Sequence, residues 1–218
     1  MAATEGNALR TLLLVGVIAV GAAALVSGSY EFSRDRIEAN RQARLLQDLQ
    51  SVLDTAVADA ALNPTRIQAS DPERLGYEDP VDVYIVRGDG RPRAAVFPAA
   101  APDGYHAPIH LLVGVSADGI VTGVRVVEHR ETPGLGDVIE IEKSDWILQF
   151  DGRSLTSPEL PQWALDDDGG SFDSITGATV TARAVIGGVR DALEFYEARS
   201  AELFSRAAES SEEERGSE

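Results

Sequence analysis

The chain has 218 residues, a net charge of −17, three histidines and no cysteine. The lack of cysteine excludes iron–sulfur clusters, thiolate nucleophiles, c-type haem and disulfides, so redox chemistry here requires an organic cofactor. A surface this acidic repels nucleic acid, while the apolar share of 44% is ordinary for a folded domain.

An uncharged segment of about 20 residues, 11–30, follows Arg10. Its length just spans a hydrocarbon core of ~30 Å as a helix, and Tyr30 stands where an interfacial aromatic is expected. A cleaved signal peptide is the alternative, because three alanines at 22–24 offer a small-residue cleavage site. The run continues uncharged past the alanines, which favours a transmembrane helix over 11–30 and a cytoplasmic N-terminus over 1–10.

The charges on either side of this segment bear on its orientation in the membrane. Arg34, Arg36, Arg41 and Arg44 follow it, whereas only Arg10 and the amino group precede it. The positive-inside rule would place the following domain in the cytoplasm. Large C-terminal domains are nevertheless exported despite such charges, so the sequence leaves the side of the membrane open at this point.

Residues 31–64 are predicted to form an amphipathic linking helix that enters the folded domain. Leu46, Leu49 and Leu53 recur at three- and four-residue steps, without glycine or proline among them. Asn63-Pro64 ends this pattern, since the residue before a proline disfavours helix.

The middle of the chain is predicted to form an antiparallel sheet, which makes the fold class α+β, with a β-sheet domain flanked by helices. A Gly-Asp-Gly turn at 88–90 and a Ser-Ala-Asp-Gly turn at 116–119 separate runs of β-forming residues. The predicted strands are Val81–Val86, Ala94–Phe97, Ile109–Val115 and Ile120–Val127, with Trp146–Phe150 as a further short strand.

Residues 131–136 read Glu-Thr-Pro-Gly-Leu-Gly directly after the last strand of this series. Thr-Pro-Gly is a turn by itself, because proline presets its own φ and glycine accepts a positive φ.

The heptad Asp-Ser-Ile-Thr-Gly-Ala-Thr at 173–179 follows an acidic, glycine-rich loop that includes three aspartates at 166–168. Thr176 is predicted to cap a helix whose first turn holds Gly177, Ala178 and Thr179. The N–H groups of a first turn have no partner inside the helix and carry the positive end of its dipole, so this position suits a phosphate.

The closing helix is predicted from about Gly177 to Phe204, with Val185, Val189 and Leu193 along one face. Residues 206–218 are acidic and poor in apolar side chains, which predicts a disordered tail. The folded domain is therefore expected over 65–205.

Both motifs, in this order, resemble those of the FMN-binding domain family found in Rnf-type ion-translocating complexes and in sodium-pumping NADH:quinone reductases. The layout is also similar, from an N-terminal anchor through a sheet with the Glu-Thr-Pro-Gly-Leu-Gly turn to the heptad and a closing helix. The short chain is more similar to the G subunit of the Rnf type than to the C subunit of the quinone reductases. The heptad shows no departure from the family pattern.

The resemblance implies that FMN is joined to Thr179 through a phosphoester bond made by a flavin transferase. It implies an electron-carrier subunit of a ferredoxin:NAD oxidoreductase in the bacterial inner membrane, with its domain on the periplasmic side and other Rnf subunits as partners. The resemblance suggests these site residues here: Glu131, Thr132, Gly134, Leu135, Asp173, Thr176, Gly177, Ala178, Thr179 and Thr181. Among them, Asp173 resembles the acidic position read by the transferase, and Thr176 and Thr181 are alternative acceptor hydroxyls to Thr179.

Further candidates are less closely tied to the motifs. Leu135 and Trp146 could face the flavin ring, and His129 and Arg130 could approach its edge. Two alternative functions stay open from sequence alone: an exported stand-alone flavoprotein with a cleaved signal peptide, and a flavin-free structural subunit of a membrane complex.

Overall fold

The computed structural model describes Gly16, residues 43–53, Val57 and residues 63–216. The chain divides into two compact units, residues 1–45 and 46–218. The span predicted at 11–30 lies outside the described residues apart from Gly16, and so does much of the linking helix predicted at 31–64. Within the described ranges, none of the helices has the length and hydropathy that a bilayer crossing requires.

The second unit is built on a five-stranded antiparallel sheet in which every strand pairs with its neighbour in sequence. The strands are β1 Thr65–Ala69, β2 Val81–Gly88, β3 Arg91–Ala101, β4 Ile109–Ser116 and β5 Val121–Glu128. The four strands from β2 to β5 confirm the predicted antiparallel sheet. The sequence did not reveal β1, which has only five residues, two of them the long polar Arg66 and Gln68.

Two helices complete the domain, the short α1 Pro72–Leu75 and the long α2 Thr179–Gly216. α2 packs against β1, β3 and β4 on one face of the sheet. Phe97 of β3 is fully buried there, with its ring 5.2 Å from that of Phe195 and 6.5 Å from that of Tyr196, centroid to centroid. These aromatic contacts fix α2 along the sheet, so its N-terminal end has a defined position.

The opposite face of the sheet receives the chain near Val52. Gly114 and Gly123 are paired across β4 and β5, and a Cβ on Gly114 would lie 2.3 Å from the Val52 carbonyl oxygen. That oxygen instead accepts a hydrogen bond of 2.6 Å from the hydroxyl of Thr122. Leu49 and Val52 are fully buried as a result.

This contact corrects the predicted linking helix, which was expected to run unbroken to the Asn63-Pro64 stop. Residues 43–51 are helical, but Val52 lies in a turn and Leu53 in a bend. The N–H groups of Val52 and Leu53 donate to the carbonyls three residues earlier, at 3.4 Å each, as in a tightened last helical turn, and the Val52 carbonyl accepts the hydroxyl of Thr122.

The segment predicted as a strand at Trp146–Phe150 is a 3₁₀ helix, Asp145–Phe150, and the strand prediction was wrong. The side chain of Ser144 accepts the N–H of Trp146 at 3.1 Å and so caps the helix. Phe150 then points into an aromatic cluster with Phe172, at a centroid distance of 5.0 Å. A cap and two buried residues three positions apart, Ile147 and Phe150, decide the conformation here, and a spacing of three is not the period of a strand.

The last helix also differs from the prediction at its C-terminal end. α2 runs to Gly216, whereas composition predicted disorder from residue 206. Ala207 is fully buried, and Arg206 pairs with Glu202 one turn earlier at 3.6 Å. The tail is rich in good helix formers without glycine or proline before Gly216, so the helix continues from a packed turn.

Candidate functional site

A pocket of about 380 Å³ lies where the N-terminal end of α2 meets the chain that leaves β5. Its walls come from the loop between β3 and β4, the turn after β5 and the first turn of α2. The lining residues are Tyr105, Glu131, Thr132, Leu135, Gly136, Gly177, Ala178, Thr179, Val180 and Thr181. Three predicted site residues are not among them: Gly134, Asp173 and Thr176.

The start of α2 differs from the predicted one. Gly177 has a φ of +80°, in the left-handed region, so it cannot belong to the helix. Ala178 donates its N–H to the Ile175 carbonyl at 3.0 Å, and its own carbonyl accepts the N–H of Ala182 at 3.1 Å. Ala178 is therefore the residue before the helix, and Thr176, which is exposed, is not the cap.

This start leaves three N–H groups without a helical partner, those of Thr179, Val180 and Thr181. None of them makes a hydrogen bond within the part of the chain that the structure describes. They lie beside the pocket together with the positive end of the α2 dipole. This is the arrangement by which helix N-termini bind phosphate groups.

The three candidate acceptor hydroxyls have different surroundings. Thr176 is exposed and lies outside the pocket lining, whereas Thr181 is 1% exposed and donates its hydroxyl to a carboxylate. Thr179 is half-buried and lines the pocket, and its side chain makes no hydrogen bond with the described residues. Thr179 alone combines access to the pocket with an unengaged hydroxyl.

Glu131 joins the walls of the pocket. Its Oε1 accepts the N–H of Tyr105 at 2.9 Å, and its Oε2 accepts the hydroxyl of Thr181. The carboxylate is 5% exposed. One side chain thus ties the β3–β4 loop to the first turn of α2, across 26 and 50 positions of sequence respectively.

His129 supports Glu131 from outside the pocket. The N–H of Glu131 donates to Nδ1 of His129 at 3.1 Å, so Nε2 carries the proton and donates to Oε1 of Glu140 at 2.9 Å. Neither His129 nor the exposed Arg130 lines the pocket, in contrast to the suggestion that they approach a flavin edge.

The turn at 131–136 is closed by its own backbone. The N–H groups of Leu135 and Gly136 both donate to the Thr132 carbonyl, at 3.1 and 3.0 Å. Gly134 has a φ of +76° and donates to Oδ1 of Asp137 at 2.7 Å. Gly134 therefore shapes the turn, while its neighbours Thr132 and Leu135 face the pocket.

The rim of the pocket is apolar and open to solvent. Leu135 is 47% exposed and Val180 is 46% exposed, and both line the pocket with the more exposed Tyr105. Side chains of this kind suit a planar aromatic ligand. Sequence reasoning missed Tyr105, Gly136 and Val180. Tyr105 and Val180 lie outside both motifs, whereas Gly136 ends the Glu-Thr-Pro-Gly-Leu-Gly turn and could have been found from it.

The acidic loop before the heptad holds the heptad in place. Oδ1 of Asp166 accepts both the N–H of Ser174, at 2.9 Å, and its hydroxyl. The bond from the Ser174 hydroxyl is the main reason that the pKa of Asp166 lies below its ordinary value. Arg183 of α2 donates to both oxygens of Asp168, at 2.8 and 3.0 Å, and lowers the pKa of that carboxyl.

Asp173 and Trp146 have structural places beside this loop. The N–H of Asp173 donates to Oε1 of Gln149 at 2.7 Å, and its carbonyl accepts Nε1–H of Trp146 at 2.8 Å. Trp146 does not line the pocket, so its indole anchors the heptad. The Asp173 side chain is exposed and is open to recognition from outside.

Residues 104–194 match the family described as FMN-binding domain, and this range contains the whole pocket lining. The fold and the pocket thus define a protein of the FMN-binding class.

Relatives that match nearly the full length of the chain identify its family within this class. The chain is 43% identical over 205 residues to the G subunit of the ion-translocating oxidoreductase complex of Pseudomonas aeruginosa strain UCBPP-PA14, covering 94% of this chain and 95% of the relative. It is 38% identical to the corresponding protein of Shewanella loihica, with 92% and 94% covered, and 39% identical to that of Aliivibrio fischeri strain MJ11, with 90% and 93% covered. The chain belongs to this family, the G subunits of ion-translocating oxidoreductase complexes.

The residues present fit FMN. The pocket is within the usual size range for small-molecule sites. The unpaired N–H groups of Thr179, Val180 and Thr181 suit a phosphate, and the apolar rim at Leu135 and Val180 suits a ring system.

Proposed function

We propose that this protein is the flavoprotein subunit of an Rnf-type ion-translocating ferredoxin:NAD oxidoreductase, and that it relays electrons through an FMN joined to Thr179 by a phosphoester bond. The supporting observation is the start of α2. There, three N–H groups without partners among the described residues surround a threonine hydroxyl without a hydrogen bond, in a chain of the G-subunit family.

The charge of the pocket supports a covalent attachment. Among its lining residues there is no lysine, arginine or histidine. A free FMN phosphate is close to a dianion at pH 7, and the lining of this pocket offers it N–H groups, hydroxyls and a helix dipole but no cationic side chain. Esterification to Thr179 leaves one negative charge on the phosphate and removes the need for a tight non-covalent site.

The protein's own residues have clear tasks in this function. FMN, when bound, supplies the electron-transfer chemistry. The N–H groups at 179–181 hold its phosphate, and Leu135 and Val180 exclude water from one side of its ring. Glu131 holds the walls of the pocket together through its hydrogen bonds. The chain has no cysteine and no dinucleotide-binding fingerprint, so ferredoxin and NAD are expected to react on other subunits. It is one carrier in a translocase and is not catalytic alone.

The covalent-flavin proposal is tested on protein isolated from cells that contain a flavin transferase. We expect the intact mass to exceed the chain mass by FMN less one water, and the band to fluoresce on a denaturing gel. Thr179→Ala should lose both signals while keeping the circular dichroism of the native protein. Thr176→Ala is the matched control, because Thr176 lies outside the pocket lining. Flavin retained in Thr179→Ala would move the attachment to another residue.

The membrane arrangement is a separate part of the proposal. Residues 11–30 form a single transmembrane helix, 31–64 a linking segment and 65–205 an FMN-binding domain on the periplasmic side of the bacterial inner membrane, where a flavin transferase matures it. Protease added to right-side-out vesicles should digest this domain, and inverted vesicles should protect it. The reverse pattern would place the domain in the cytoplasm, and a mature N-terminus near Ala24 would replace the anchor with a cleaved signal peptide.

A further inference from the structure

The pocket carries a negative charge that no neighbouring cation offsets. Glu131 is the sole carboxylate among the lining residues, and none of them is basic. Among the described residues, no salt bridge of 4.0 Å or less involves Glu131. A helix N-terminus that favours anions thus lies beside a group that disfavours them.

The surroundings of Glu131 hold its side chain in one position. It is 5% exposed, and both of its oxygens are hydrogen-bond acceptors. A backbone N–H can only donate, so the bond from Tyr105 occupies one oxygen as an acceptor. The hydroxyl of Thr181 fills the other. Both donors are neutral, so they fix the position of the Glu131 side chain without placing a positive charge beside it.

We propose that Glu131 is a fixed negative charge of the flavin pocket, which repels the phosphate of free FMN and opposes the arrival of electrons on bound FMN. This inference rests on the proposed function, because it takes FMN as the occupant of the pocket. Glu131 is then an electrostatic positioning residue and forms no bond with the flavin.

The two effects have one physical origin. A unit charge acting on another about 10 Å away, at an effective dielectric near 20, changes a binding constant on the order of tenfold. The phosphate of free FMN is repelled by this carboxylate, so non-covalent binding of FMN is weak. An ester bond would retain the flavin despite this repulsion. Reduction adds negative charge to a flavin, so the same carboxylate lowers the midpoint potential of the bound cofactor.

Glu131→Gln separates charge from geometry. The glutamine carbonyl can still accept the N–H of Tyr105, and its amide can donate to the hydroxyl of Thr181, so the bridge remains while the charge is removed. Thr181→Val does the reverse, since it removes the hydrogen bond and leaves the carboxylate. Glu140→Gln is the matched control, a carboxylate that contacts His129 and does not line the pocket.

The first measurement needs no covalent flavin. In the full-length Thr179→Ala protein, the affinities for FMN and for riboflavin are compared with and without Glu131→Gln. We expect FMN to bind at least on the order of tenfold more tightly after the change, since its free phosphate carries more than one charge, while riboflavin, which has no phosphate, changes far less. Glu140→Gln should leave both affinities nearly unchanged. Equal gains for FMN and riboflavin, or no gain for FMN, would overturn the proposal.

The second measurement uses protein that carries covalent flavin. Glu131→Gln should raise the midpoint potential of the flavin above that of the native protein, whereas Thr181→Val should not reproduce this rise. An unchanged or lower potential in fully loaded Glu131→Gln would overturn the electrostatic role. A native protein without covalent flavin would instead contradict the attachment to Thr179. The comparison of FMN and riboflavin binding in Thr179→Ala would still test the electrostatic role of Glu131.

Discussion

Replacing Gly177 with alanine should damage the flavin pocket more than it damages the fold. Gly177 has a φ of +80°, and a Cβ added there would lie 3.3 Å from Cδ2 of Leu135. Left-handed backbone costs an L-residue roughly 1–2 kcal/mol. The close contact also requires Leu135 to give way, and Leu135 forms part of the pocket rim. The change therefore combines a general strain with a local displacement.

Gly119→Ala separates these two effects. Gly119 has nearly the same φ, +79°, and nothing lies within 4 Å of an added Cβ. It lies in the turn between β4 and β5, outside the pocket lining. We expect both variants to lose about 1–2 kcal/mol of unfolding free energy, which lowers the midpoint of thermal unfolding by about 2–4 °C per kcal/mol in a chain of this size.

The flavin content then distinguishes the two variants. Cells with a flavin transferase should yield Gly119→Ala protein loaded like the native chain, and Gly177→Ala protein with a clearly smaller labelled fraction by intact mass. Equal loading of the two variants would refute the role of Gly177 in shaping the pocket. A Gly177→Ala protein as stable as the native one would refute the strain argument itself.

Three further changes test other parts of the structure. Thr122→Val removes the 2.6 Å hydrogen bond to the Val52 carbonyl, so we expect a loss of about 1 kcal/mol and faster amide hydrogen exchange around Val52. Phe150→Ala empties a fully buried position in the aromatic cluster and should cost about 3–5 kcal/mol in chemical denaturation. The pKa of Asp166 is lowered in the folded protein, chiefly by its bond from Ser174. Its stabilising contribution is therefore complete above its ordinary pKa of 3.8 and lost as the pH falls through the folded value, which the amide resonance of Ser174 should report with a midpoint below 3.8.

The sequence predicts the sheet well because the sheet is periodic. Every second residue of β4 from Ile109 to Val115 is apolar and fully buried, a turn with glycine at 119 follows, and the structure has this hairpin with β5. The same reasoning fails at Trp146–Phe150, where one Ser144 cap and one buried ring decide the conformation. It also fails at Val52, whose carbonyl is bound by a residue 70 positions away. Contacts of that sequence separation leave no periodic trace.

The same limit applies to the pocket. The two motifs suggested Glu131, Thr132, Leu135 and Thr179 as neighbours, and the structure brings all four to one cavity. The motifs did not indicate what holds them together, because the bridge from Glu131 reaches a buried hydroxyl in α2 and a backbone N–H at Tyr105. Tyr105 had no signal in the sequence beyond its aromatic side chain.

Some of the acidic residues of the chain have defined structural roles as hydrogen-bond acceptors for loops. Asp137 accepts the N–H of Gly134 at 2.7 Å, Asp166 accepts the N–H of Ser174, and Glu131 accepts that of Tyr105. Each of these carboxylates fixes a loop that borders the pocket, by the charged hydrogen bonds that are the stronger kind.

Part of the net charge of −17 therefore consists of carboxylates that anchor loops near the site we propose for a phosphate. The two requirements conflict unless the phosphate is retained by a bond that does not depend on charge. The ester proposed at Thr179 would be such a bond, which is why a covalent flavin suits this pocket better than an exchangeable one.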